Sequence, residues 1–246
     1  MDPEPLLPVD PPAIDPADPW GDQDAEVAWE PAFTILREAP TLGALVRAVG
    51  PVRLPPPEAD PFRALARGIV FQQLAGKAAA TIWGRVEVAL SGAVSPAAVL
   101  AAPEAELRAA GLSRAKLAAL RDLARLTSPG DAGDSGEAAA GEPRPPALDL
   151  AALPGMDDAA VIRALVQVRG IGPWTARMHL IFQLQRPDIW PVLDLAVRVG
   201  WARIHRLPEP PDPRTLEPLA DPFRPWRSAV AWYCWRVVDT AMELPA

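Results

Sequence analysis

Asp194 sits in "PVLDLAVR", at the start of a stretch with helical periodicity. A fixed carboxylate there can stabilise positive charge building on a substrate, or orient and deprotonate an attacking water. The position also fits an N-cap or an i,i+4 partner of Arg198, and local sequence does not choose among these. A second stretch, "VRGIGPWTARMHLIF" at 168–182, sets Gly170, Gly172 and Pro173 directly before a helical run. Glycine in a helix interior costs about 1 kcal/mol and proline about 3 kcal/mol, so this segment reads as a tight junction between two helices. Glycine permits positive φ and close backbone approach, while Pro173 suits a first helical turn. The junction leaves backbone N–H groups at the positive end of a helix, a ready site for a phosphate. A plain helix–helix turn is the alternative.

Charge is distributed so that a polyanion partner is permitted. The net charge is −7, but residues 61–128 carry nine basic against four acidic groups and residues 161–206 carry seven against two. Acidic segments flank and separate these blocks. A lone cysteine, Cys234, excludes a disulfide framework and any all-cysteine zinc or iron–sulfur site. Two histidines, His179 and His205, without ligand-spaced neighbours, make a zinc site improbable. His179 falls on a polar helical strip with Thr175, Gln183 and Arg186, which predicts a surface histidine. Cys234 reads as a small core residue. The N-terminus is acidic and proline-broken with no apolar core segment, and no run approaches the roughly 18 residues of a membrane span. A cytoplasmic, membrane-free protein is expected.

The elements that must position these residues are helical. Residues 1–30 read as a solvated, acidic, proline-rich tail. "TLGALVRAVG" predicts a helix capped by Thr41. Asp60 and Pro61 predict the cap and first position of a long segment, broken into two helices near Gly76. Shorter helices opened by Ser95, Pro103 and Ser113 follow, then a low-complexity loop at about 128–146. After the junction, helices are expected near 191–205, 213–221 and 226–241. Nothing reads as a strand, so the fold class is all-α.

Four ordered motifs, spanning about 33–242, carry a resemblance to a known family. "VRGIGPWTARM" resembles the hairpin of the helix-hairpin-helix DNA glycosylase superfamily, and "RPDIWPVLDLAVR" follows at the family's spacing. "IVFQQLAGKAAATIWGRV" is similar to the segment with which the family enters the duplex, and "FRPWRSAVAWYCW" to its last core helix. The branch it most resembles is 3-methyladenine DNA glycosylase II, in a short form lacking a full N-terminal β domain. The resemblance implies two helical lobes within residues 31–246. One runs from about 61 to 165, and the other joins the N-terminal part to the segment after the hairpin.

Applied to these residues, the resemblance implies that Asp194, 22 residues after Gly172, is the catalytic carboxylate. Gly170, Ile171 and Gly172 become the hairpin that grips the DNA backbone. Gln73 and Leu74 become the wedge, Gln73 at the aligned position, with Ala75 in place of a common serine; helix ending and packing is the plainer reading. Trp174, Met178, Leu195 and Trp235 line the base pocket, although core packing is an alternative for Trp174. Met178 and Leu195 stand where relatives often carry aromatics. Two indoles would favour a cationic alkylated base by about 0.5–2 kcal/mol.

Trp174 occupies the position of the lysine of lyase-active relatives, which implies hydrolysis without a Schiff base. Asp188 reads as a loop or cap residue rather than a second catalytic carboxylate. No organic cofactor is implied; a structural cation at the carbonyls of Gly170 and Gly172 is the one ion the family suggests. The expected activity is monofunctional excision of 3-methyladenine-like bases from double-stranded damaged DNA by a monomer. A glycosylase for oxidised or deaminated bases and a non-catalytic DNA-binding module are the alternatives.

Overall fold

The computed structural model describes residues 26–74, 76–129 and 145–239. The expectations for the N-terminal tail, for Ala75 and for the loop at 128–146 fall wholly or largely outside the described residues. Residues 26–30, counted above with the tail, are among the described residues. Strand β1 (Glu26–Val27) pairs antiparallel with β2 (Arg53–Leu54), so the described chain holds one small two-stranded ladder that the sequence did not announce. Trp29 anchors it by donating from Nε1 to the Gln185 carbonyl at 2.8 Å.

Helices α1 (Glu30–Leu36) and α2 (Gly43–Val49) come next. Thr41 does not cap α2. The Gly43 amide already donates to Ala39 O at 2.8 Å, continuing the α1 turn directly into α2. Helices α3 (Pro61–Phe71), α4 (Gly76–Ala89), α5 (Pro96–Ala101), α6 (Glu104–Ala109) and α7 (Arg114–Thr127) follow. Here the sequence signals work as expected. Asp60 Oδ1 accepts from the amides of Phe62 and Arg63 at 2.8 and 3.2 Å, and Pro61 takes the first position, where its missing N–H costs nothing. Ser95 and Ser113 cap α5 and α7 in the same manner. Helix α7 packs across α3 and α5 through Leu117, Leu120, Leu123 and Ala124, all buried.

A 3-10 turn (Leu150–Gly155) leads to α8 (Asp158–Leu165), which packs on α9 (Pro173–Phe182). The chain ends with α10 (Leu195–Ile204), α11 (Pro213–Leu219), a second 3-10 turn (Asp221–Phe223) and α12 (Arg227–Asp239). Helices α10 and α12 make the most intimate pairing, at Gly200. A Cβ there would lie 2.2 Å from the Cys234 carbonyl oxygen, so only glycine permits this approach. Tyr233 Oη donates to Gly50 O at 2.8 Å, joining α12 to the end of α2. Helix α2, with α1 beside it, thus packs on α12, the partner of α10, and α3 to α7 pack among themselves.

Candidate active site

The segment between α9 and α10 delivers Asp194, and it is fixed at three points. Asp188 accepts from Arg227 Nε at 2.6 Å and from Arg224 Nη1 at 2.8 Å, so it is an ion-pair anchor rather than a cap. Ser228 Oγ donates to Arg186 O at 2.6 Å and accepts the Ile189 amide at 2.9 Å. Trp190 Nε1 donates to Leu216 O at 3.2 Å from a buried position. Residues 191–194 form a tight turn, closed by the Asp194 amide donating to Pro191 O at 2.8 Å, and α10 starts at 195 instead of near 191.

Asp194 caps α10: Oδ1 accepts the Val197 amide at 2.9 Å. Its carboxylate has further donors. Trp174 Nε1 donates to Oδ2 at 2.7 Å and Trp235 Nε1 to Oδ1 at 3.3 Å. Two indoles from α9 and α12 thus converge on one carboxylate from α10, which the Gly200 contact makes possible. The alternative pairing with Arg198 is not what forms; Arg198 Nε donates to Pro211 O at 2.7 Å. Asp194 itself is 8% exposed, while Leu193 and Leu195 on either side are 53% and 51% exposed. The buried carboxylate is thus flanked in the chain by two exposed apolar residues. Trp174 is 40% exposed, which rules out core packing for it. Trp235 is buried and stacks on Phe182, with ring centroids 5.6 Å apart and planes at 24°. Met178 lies one turn beyond Trp174, partly buried against the core.

Two neighbours on α12 feel the Asp194 charge. Burial pushes the Cys234 thiol up, with Asp194 adding, so it stays a protonated core thiol as expected. Burial also raises the Asp239 carboxyl, opposed by Arg236 and aided by Asp194. Asp239 is a second carboxyl within electrostatic reach of Asp194, one turn from Trp235, and sequence reasoning passed over it.

The turn before α9 has the predicted glycine geometry. Gly170 has φ 80°, and a Cβ would meet Ala119 Cβ on α7 at 3.1 Å, so glycine is needed for both conformation and space. Gly172 caps α9 without a side chain, and the Ala176 amide is the first in the helix with a partner, Gly172 O at 3.0 Å. Amides ahead of it remain directed out of the helix start. Ile171 anchors the turn from beneath: its side chain is buried, and its amide donates to Val168 O at 3.0 Å.

The turn between α3 and α4 lies against this hairpin through a residue that sequence reasoning missed. Gln72 Nε2 donates to Gly170 O at 3.0 Å and to Thr175 Oγ1 at 3.1 Å. Next to it Gln73 is exposed at φ 55°, a left-handed conformation rare for its type. Lys116 Nζ closes the α3 C-terminus by donating to Val70 O at 2.6 Å. The carbonyls suggested above for a cation are both engaged, Gly170's by Gln72 and Gly172's by the Ala176 amide. Among the described residues no His, Cys, Asp and Glu cluster could hold a metal.

The expectation for His179 is corrected. It is buried, and desolvation pulls its pKa down to about 4. The polar strip on which it lies faces protein: Thr175 meets Gln72, and Gln183 Oε1 accepts the Glu58 amide at 2.9 Å. Those contacts clamp the segment around α3 over the strip.

Comparison with known proteins places the chain in a family. A family profile described as "HhH-GPD superfamily base excision DNA repair protein" matches residues 66–225. The chain is 31% identical over 184 residues to DNA-3-methyladenine glycosylase 1 of Schizosaccharomyces pombe, covering 74% of each chain. Among solved structures, it resembles the S. pombe 3-methyladenine DNA glycosylase in complex with abasic DNA. There the TM-score is 0.70 and the identity 27%, with 88% of this chain and 99% of that one covered. A DNA-3-methyladenine glycosidase from Bacillus halodurans matches with TM-score 0.71 and 29% identity, over 88% of this chain and 93% of that one.

Proposed function

This chain belongs to the HhH-GPD superfamily of base excision DNA repair proteins. On that premise we propose that it is a monofunctional DNA glycosylase that hydrolyses the N-glycosidic bond of alkylated, 3-methyladenine-like bases. The observation that carries this reading is the Asp194 carboxylate, fixed by Trp174, Trp235 and the Val197 amide and flanked in the chain by the exposed Leu193 and Leu195. The relatives' names support the substrate class.

Cleaving a base from deoxyribose builds oxocarbenium-like positive charge on the sugar. Asp194, oriented in advance by its three donors, stabilises that charge without reorganising and steers or deprotonates the attacking water. A cationic alkylated base leaves readily, so one carboxylate suffices. Trp174 supplies no amine, so no Schiff base forms and the product is an abasic site. Trp174, Met178, Leu195 and Trp235 border the flipped base, and the indole faces favour a cationic one.

A base inside the duplex is out of reach, and flipping it out costs a few kcal/mol. Gln73, exposed in its left-handed turn, enters the gap with Leu74 beside it. Gly170 and Gly172 offer amides to a phosphate, with Ile171 holding the turn beneath them. No step of this reaction needs a cation. The enzyme works as a monomer in the cytoplasm on damaged duplex DNA. Among the described residues no helix is long and apolar enough to cross a membrane.

The test is a panel of duplexes, each with one lesion, assayed for free base and for strand breaks before and after hot alkali. Release of methylated purines with breaks only after alkali is expected. Preferred release of uracil or 8-oxoguanine would overturn the substrate class, breaks without alkali would overturn the water-only reaction, and no release at all would leave a DNA-binding module.

A further inference from the structure

Away from Asp194, one face of α7 carries a row of arginines for which the reaction has no use. Arg114, Arg121 and Arg125, with Ala118 between them, recur at helical spacing on one side. Arg169, directly before the hairpin glycine, reaches the same place from another element. Together with Glu104 and Leu117 these residues line an open concavity of about 230 Å³. Four guanidiniums meet there, and the acids nearby do not balance them. Glu104 stands 3.5 Å from Arg121 with its side chain 61% exposed. Asp122 divides its oxygens between Arg125 at 3.3 Å and the Arg169 amide at 2.7 Å.

Arg121 and Arg125 form a like-charge i,i+4 pair, an arrangement that weakens an isolated helix. Arg121 is tied into the fold through Ala102 O at 3.2 Å, but Arg114, Arg125 and Arg169 are exposed and add nothing obvious to packing. Converging arginines match phosphate oxygens, which they can bind with two donors each. The cleft is also continuous with the hairpin: Arg169 adjoins Gly170, and Gly170 rests on Ala119 of α7. A backbone strand held at the hairpin amides would therefore pass along this arginine row.

We propose that the cleft between α7 and the hairpin is a second phosphate-binding surface, which takes DNA backbone phosphates beyond those gripped by the hairpin. It extends the DNA reading above and rests on it. Its contribution is sequence-independent affinity, and it leaves the chemical step at Asp194 untouched.

Such contacts have a thermodynamic signature. Each neutralised phosphate of B-DNA contributes about 0.9 to the steepness with which log K falls against log[salt]. The variant for the test is Arg114→Gln/Arg125→Gln/Arg169→Gln, which spares the structurally tied Arg121. Its affinity for an undamaged duplex is measured from 50 to 300 mM salt beside the wild type. The slope is expected to be shallower by about 2 to 3, with the two affinities converging as salt rises. The corresponding triple Lys variant should keep most of the wild-type slope, since point charges suffice for counterion release. If the triple Gln variant does not fold, Arg114→Gln alone should still lower the slope by about 1.

Single-turnover base release at saturating enzyme should match wild type for the Gln variant. An unchanged slope overturns the assignment and leaves the cleft to an acidic protein segment. A lowered slope with no base release by either protein would instead remove the glycosylase reading and keep the phosphate surface. The two claims therefore fail separately.

Discussion

Replacing Trp174 by Phe keeps an aromatic ring on α9 and removes one decisive atom, the Nε1 that donates to Asp194 Oδ2 across 2.7 Å. A hydrogen bond to a charged group is worth about 1.5–3 kcal/mol. Trp174 is 40% exposed, so water can partly replace the lost donor, and the low end applies. At about 1.4 kcal/mol per decade, the expected fall is roughly 10-fold in the single-turnover rate of base release. Trp235 Nε1 at 3.3 Å and the Val197 amide at 2.9 Å still hold the other oxygen, which keeps the loss well short of removing the carboxylate. The ring remains available to the flipped base, so binding to a duplex with an abasic-site analogue should change less than 3-fold by the same conversion, under about 0.7 kcal/mol. Rapid-quench kinetics with enzyme in excess reads the first quantity, and fluorescence anisotropy reads the second. An unchanged rate would refute the claim that the indole N–H orients the carboxylate. Equal losses in rate and binding would show that Trp174 acts through DNA contact instead.

Three further outcomes follow from packing, burial and linkage. Gly200→Ala sets a Cβ 2.2 Å from the Cys234 carbonyl. It should cost about 3 kcal/mol in urea unfolding, at the upper end of overpacking effects; a change under about 0.5 kcal/mol would show that α10 and α12 separate easily. His179 is buried with a folded pKa of about 4, below its unfolded value near 6.5. Its neutral form is fully tolerated above pH 6.5, and stability is lost as pH falls toward 4 because only the unfolded chain takes up the proton. Between pH 7.5 and 4.5 wild type should lose about 2–3 kcal/mol more than His179→Gln, and parallel pH profiles would contradict this. Gln72→Ala removes the bonds to Gly170 and Thr175. It should slow single-turnover release about 5-fold, roughly 1 kcal/mol, and weaken the fluorescence rise of 2-aminopurine beside the lesion; a rate equal to wild type would disconnect wedge and hairpin.

What could be read from sequence was local. Asp60 with Pro61, and Ser113, announce their helices because a cap acts within three residues. Gly170 was legible because its φ of 80° belongs to a turn that few other residues accept, whereas Gly172 takes an extended conformation open to any residue. Asp194 was legible as a cap and, only through the family resemblance, as a candidate site, but not as the acceptor for two indoles. That arrangement depends on Gly200 letting α10 approach α12, a contact between residues far apart in the chain. Gln72 was invisible for the same reason, since its acceptor lies 98 residues away. His179 was misjudged because a polar strip usually faces water, and here another chain segment satisfies the strip's polar groups. The β1–β2 ladder escaped because two residues are too few to show alternation.

The central claim is that the Asp194 carboxylate performs the chemistry while the rest of the site holds DNA and base. Asp194→Asn measures this most directly, because the amide keeps the shape and can still accept the Val197 amide at the head of α10. Single-turnover release of a methylated purine from duplex DNA should fall at least 100-fold, the order expected when one preorganised electrostatic group is lost. Affinity for the abasic-analogue duplex should stay within a few-fold of wild type. Undiminished base release by the Asn variant would contradict the account.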